Sequence, residues 1–118
     1  MIAAGLLAGL LLAGSATLAV AEEVAFVACD NGLRCFRAPC PARDVVLLPS
    51  GRRLARTEPD LSGLNPADRK RLAEGDGLYY GTVVLSGTIE GGSQTRVIAR
   101  GIVRPATAAE ASLCRRQK

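Results

Sequence analysis

Along residues 79–90 the odd positions read Tyr79, Gly81, Val83, Leu85, Gly87 and Ile89, and the even positions Tyr80, Thr82, Val84, Ser86, Thr88 and Glu90. A period of two places the apolar set on one face of a strand. Glu90-Gly91-Gly92-Ser93-Gln94 then supplies residues that tolerate positive φ, so Thr95 to Arg104 is predicted to turn back and pair antiparallel with the first run. In the return strand Val97, Ala99 and Val103 fall on one face. The other face reads Arg96, Ile98, Arg100, Ile102 and Arg104, a partly covered surface on which arginine stems can lie over aliphatic neighbours. A lone two-stranded ribbon is marginal in water, so the rest of the chain is expected to cover this hairpin.

The preceding segments supply short elements for that purpose. Val24 to Ala28 is an apolar run ended by the turn signal Cys29-Asp30-Asn31-Gly32, and Leu33 to Phe36 is a candidate second strand. Pro39 and Pro41 bracket Cys40 and forbid helix there. Asp44 to Leu48 is a third strand, closed by Pro49-Ser50-Gly51, and Arg52 to Ser62 reads as a strand end plus loop. Asn65-Pro66-Ala67-Asp68 combines an N-cap, a proline at the first helical position and an acid in the first turn. That helix ends at Gly75 and Gly77, and docks through Leu72 and Ala73 with Leu61 and Leu64 in its approach. Thr107 and Glu110 have capping-box spacing, which predicts a frayed terminal helix through Leu113. The expected architecture is one small α+β domain: a mainly antiparallel sheet with one short helix, a core over 24–104 and a flexible or helical tail over 106–118.

Residues Met1 to Ala21 carry no charged side chain, and Glu22-Glu23 opens the charged part of the chain. This boundary reads as a signal peptide over 1–21 cut after Ala19-Val20-Ala21, leaving an exported domain over 22–118. No Lys or Arg precedes the apolar run, so either the α-amino group serves alone or the true start lies upstream of Met1. The competing reading is an uncleaved membrane anchor, since about 20 apolar residues span a bilayer; the many Gly and Ala residues favour cleavage. Ser15 stands where a lipoprotein signal requires cysteine, which excludes lipidation there. The expected location is periplasmic or secreted.

Export changes the meaning of the four cysteines. A domain this small buries only about 60 to 70% of the surface its unfolded chain exposes, and this one has two Tyr, two Phe and no Trp as anchors. Disulfides supply the missing constraint. Cys29, Cys35, Cys40 and Cys114 allow three pairings that sequence alone does not rank. Chain entropy assigns about 2 kcal/mol to a Cys35–Cys40 bond and about 4 to 5 kcal/mol to Cys29–Cys114. We choose that pair of bonds because one freezes a proline loop and the other ties the tail to the first strand. A metal site is not expected: no two cysteines are spaced C-x-x-C and the chain has no histidine. The same spacing speaks against thioredoxin-like redox chemistry.

The stretch Cys35-Phe36-Arg37-Ala38-Pro39-Cys40-Pro41, followed by a Val/Leu strand, a Leu-x-x-Leu-Asn-Pro helix start and a Gly-rich hairpin, resembles small exported bacterial proteins of a domain of unknown function with a Cys-x4-Cys-Pro motif. The resemblance implies a secreted or periplasmic domain and transfers no catalytic residue. Cys29 and Cys114 lie outside it.

The absence of histidine removes histidine triads and the commonest general base. The carboxylates Glu58, Asp60, Asp68, Glu74 and Asp76 sit among arginines, in turns or at a helix start, as solvated side chains do. We therefore expect no enzyme activity and no cofactor. With 15 basic and 11 acidic side chains the chain carries a formal +4, which favours anionic partners. Arg96, Arg100 and Arg104 recur every four residues, so an ideal strand would space them about 13 Å apart on one face. Such a ladder could bind phosphates or carboxylates, or could serve only as a solvated face that discourages edge pairing. The sequence thus reads as a non-catalytic binding or structural module of the cell envelope. Its expected partner is an anionic envelope component or another protein and not nucleic acid. Membrane contact is expected only through an uncleaved leading segment, and the oligomeric state is left open. The alternative is a disulfide-loop serine-protease inhibitor that presents Arg37-Ala38 as bait within the Cys35–Cys40 ring.

Overall fold

A computed structural model describes residues 21–115. The expected signal peptide, apart from Ala21, lies outside the described residues. The chain runs β1 (Glu22–Asp30), β2 (Arg43–Leu48), β3 (Arg53–Leu54), α1 (Pro66–Glu74), α2 (Gly77–Tyr80), β4 (Val83–Glu90), β5 (Arg96–Pro105) and α3 (Ala108–Ser112), with a 3-10 turn at Leu113–Arg115. The strands form one antiparallel sheet in the order β3-β2-β1-β4-β5. This is the small disulfide-stapled α+β domain that the hydrophobic pattern predicts.

Both faces of the sheet are covered. On one, Phe26, Ala28, Val45, Leu47, Leu85, Val97 and Ala99 pack against Leu64 before α1, Leu72 of α1 and Leu78 of α2. On the other, Val27, Cys29, Val46 and Val84 meet Ala106, Leu113 and Cys114. Cys29 and Cys114 are disulfide-bonded, their Cα atoms 5.5 Å apart, so the segment around Cys114 is fixed over β1, the middle strand of the sheet.

The sheet also curls. Leu54 ends β3 at one edge, yet Asp60 already pairs in parallel with Ile98 of β5 at the other. The Asp60 N–H donates to the Val97 carbonyl at 2.8 Å and the Ala99 N–H donates back to the Asp60 carbonyl at 2.9 Å. A connection of that length reaches at most about 22 Å, whereas a flat sheet would separate β3 from the outer side of β5 by about 24 Å. Only a curved sheet lets so short a link join its edges.

Three local expectations differ from what the chain does. The regular alternation of β5 is broken by register shifts that leave Arg100 and Val103 without partners in β4, and each extra residue exchanges the faces. Ile102, expected beside the arginines, therefore packs with the Leu85 core, while Val103 is exposed. Tyr79 and Tyr80 are helical and not the start of β4: the Tyr79 and Tyr80 N–H groups donate to the Asp76 carbonyl, and Gly81 at φ 69° closes the turn. Leu33 to Phe36 forms no strand, because Asp30 and Asn31 side chains accept from the Gly32 and Leu33 N–H groups and hold the chain in local turns.

The helix predicted from Asn65-Pro66 is present. The Asn65 side chain accepts from the Asp68 N–H at 2.8 Å. Thr107 and Glu110 form the expected capping box.

Candidate binding surface at the disulfide ring

Between β1 and β2 the chain makes an excursion whose centre is the ring closed by Cys35–Cys40, with Cα atoms 5.6 Å apart. Its base is anchored in the sheet. Asn31 donates from its backbone to the Ala42 carbonyl at 2.9 Å and from Nδ2 to the Pro41 carbonyl at 2.8 Å. The same amide reaches Asp44 Oδ1 at 3.2 Å, so the ring stands on a buried carboxylate. Its tip is in water. Phe36 has a relative exposure of 109%, and Arg37 and Ala38 are also exposed.

Beside the ring is a recess of about 410 Å³ whose walls include Arg34, Cys40, Arg43, Glu58 and Tyr79. Arg34 Nη1 donates to Asp30 Oδ1 at 3.0 Å, which holds the Asp30 carboxyl below its usual range. Arg43 Nη1 donates to the Leu78 carbonyl at 3.0 Å, while its buried Nε lies 3.6 Å from Glu58 Oε1 and makes no hydrogen bond. Burial pushes the Glu58 carboxyl up, against the lowering influence of Arg43. Tyr79 and Tyr80 meet edge to face with ring centroids 4.6 Å apart, and both are exposed. On the other side of the ring a groove of about 970 Å³ runs between Pro39, Pro41, the segment 54–58 and Gln94 at the foot of β5.

The arginine ladder is dispersed. Arg96 Nη2 donates to Asp60 Oδ2 at 2.9 Å, and Arg104 makes a two-pronged contact with Glu110 at 2.6 and 2.9 Å. Arg100, at one of the two irregularities, has no ion pair among the described residues. Two of the three side chains carry their own counter-charge, and the third stands at a break in the strand register. The carboxylates weighed as catalytic are similarly engaged: Glu58 with Arg43, Asp60 with Arg96, Asp68 with the α1 cap and Glu74 3.9 Å from Lys70. Asp76 occupies the N-cap position of α2.

The four cysteines pair as chosen from the sequence, and among the described residues no cysteine is free. Sequence reasoning passed over Asp44, Phe36 and the two tyrosines. Phe36 was legible in principle, because a side chain inside so small a covalent ring cannot also reach a core. Asp44 was not, since its partners come from positions far along the chain.

No family model, curated protein or solved structure matches this chain. The surface must be read from its own chemistry.

Proposed function

We propose that residues 22–118 form an exported, non-catalytic binding module of the cell envelope, and that the Cys35–Cys40 ring is its contact surface. The observation that carries this reading is Phe36. Burying a phenylalanine side chain is worth about 1.5 to 3 kcal/mol, yet one of the two in this chain stands fully in water on a covalently closed loop. A closed ring holds the contact residues in place before binding and so reduces the ordering cost. The two disulfides fit an oxidising compartment. β1 begins at Glu22, directly after the expected cut, so removal of the leading segment would take away no strand residue.

The test is a photo-crosslinking side chain at position 36 in the protein as the cell makes it, with position 70 on α1 as control, together with the intact mass of the recovered chain. The reading expects a mature chain starting at Glu22, no free thiol, and an adduct from position 36 but not 70. A cytoplasmic, reduced chain with no adduct would overturn it.

A second reading is the protease inhibitor. It is favoured by Arg37, which is exposed on the ring and has no ion pair among the described residues. The short ring offers little chain on either side of the bait bond, which ranks this reading second.

A further inference from the structure

We infer that the disulfide ring is a reversible anchor for an anionic phospholipid surface, with Phe36 entering the acyl boundary and Arg37 and Arg34 meeting headgroup phosphates. This rests on the proposed export, which sets the chain beside a bilayer. It adds a route to the membrane that does not use the leading segment.

The chain has only four aromatic side chains, and it spends one of them, Phe26, on its core. Phe36, Tyr79 and Tyr80 are all exposed, and Tyr79 lines the recess that Cys35, Cys40 and Arg34 also line. Aromatic rings with one apolar and one polar end collect at membrane interfaces. Phe36 is flanked by cations on both sides in sequence. Arg37 has no carboxylate partner among the described residues, and Arg34 keeps 63% of its side chain exposed although it pairs with Asp30. A single modest apolar insertion holds a protein to a membrane only weakly, and stable attachment needs a second, basic signal. The ring carries both within adjacent residues. In β5, Arg96 and Arg104 pair with Asp60 and Glu110, and Arg100, which has no ion pair among the described residues, has no aromatic side chain in its strand to insert beside it. A protein with a fitting apolar pocket would also take Phe36; the cations on either side of it are what favour a phosphate-bearing surface.

The natural chain has no tryptophan, so Phe36→Trp installs a single reporter at the tip. We would titrate this protein with vesicles of phosphatidylglycerol and phosphatidylcholine, some carrying brominated acyl chains, and with phosphatidylcholine alone. Anionic vesicles are expected to shift the emission to the blue, and bromolipid to quench it. By co-sedimentation, Phe36→Ser should weaken binding about tenfold, and Arg37→Ser about fivefold with a flatter salt dependence. Unchanged thermal unfolding of both variants, whose side chains are outside the core, verifies that the fold is intact.

Emission unmoved by anionic vesicles, or wild-type binding by Phe36→Ser, would overturn the inference. If vesicles fail while position 36 crosslinks to a protein, the lipid surface is wrong and the binding module stands. If both fail, both readings fall.

Discussion

The carboxylate of Asp44, 1% exposed, accepts a hydrogen bond from Arg53 Nη1 at 2.9 Å, and the same guanidinium donates through Nη2 to the Leu113 carbonyl at 2.7 Å. One residue pair thus joins β2, β3 and the 3-10 turn that begins at Leu113. Burial on its own would raise the Asp44 carboxyl, but hydrogen bonds from the Arg56 N–H, Arg53 and Asn31 outweigh it and hold the group below its usual range. Asp44→Ala strands the Arg53 charge and should cost about 3 kcal/mol in urea unfolding. A loss near zero would show that the pair does not hold the Leu113 segment.

Glu110 accepts both prongs of Arg104 and closes the α3 capping box, which lowers its carboxyl from 4.5 to about 2. The folded value lies below the unfolded one, so the stabilisation is complete above about 4.5 and is lost as the pH falls towards 2. Stability measured across that window should decline less steeply in Glu110→Gln, and a carbon-detected titration should find the Glu110 midpoint well below 4.5.

Replacing Cys29 and Cys114 together by serine should destabilise the domain by about 4 kcal/mol, and replacing Cys35 and Cys40 by about 2 kcal/mol. The difference follows from the length of chain each bond closes, 85 against 5 residues of separation. Thermal unfolding of the two double variants checks the order. Equal losses would mean that the long bond constrains little in the unfolded chain.

Gly81→Ala should cost about 3 kcal/mol and hinder formation of the Cys29–Cys114 bond. The residue has φ 69°, and an added Cβ would collide with Cys114 Sγ. Free-thiol counting after air oxidation reads the second effect directly, with Gly91→Ala, where a Cβ meets open space, as control.

Incubation with trypsin separates the two proposed functions. The binding module predicts no saturable inhibition, whereas an inhibitor would titrate the enzyme in proportion to its concentration and be cut slowly after Arg37. Arg37→Ala would abolish that inhibition.

The hairpin, the α1 cap and the capping box could be read from the sequence, because each is written in residues close together, whereas the cysteine pairing was a choice among three that the sequence did not rank. What escaped was set by contacts between distant segments. Val24 to Ala28 reads as a short strand, but Glu22 and Glu23 extend it by pairing with Ile89 and Thr88. The exchange of faces at Arg100 and Val103 is invisible to a period-two count, and it decides that Ile102 packs against the core. Those arginines drew attention through their spacing, whereas the more distinctive surface rests on Phe36, a single aromatic that no periodicity marks.

The position of Cys114 also sets a schedule. If the chain threads outward from its first residue, the Cys35–Cys40 ring can close as soon as both cysteines emerge, but Cys29 must wait until the last strand, β5, has been released. Closure of the long bond therefore requires that all five strands have emerged. A product truncated before Leu113 would keep a lone Cys29 thiol and leave that face of the sheet without Leu113 and Cys114.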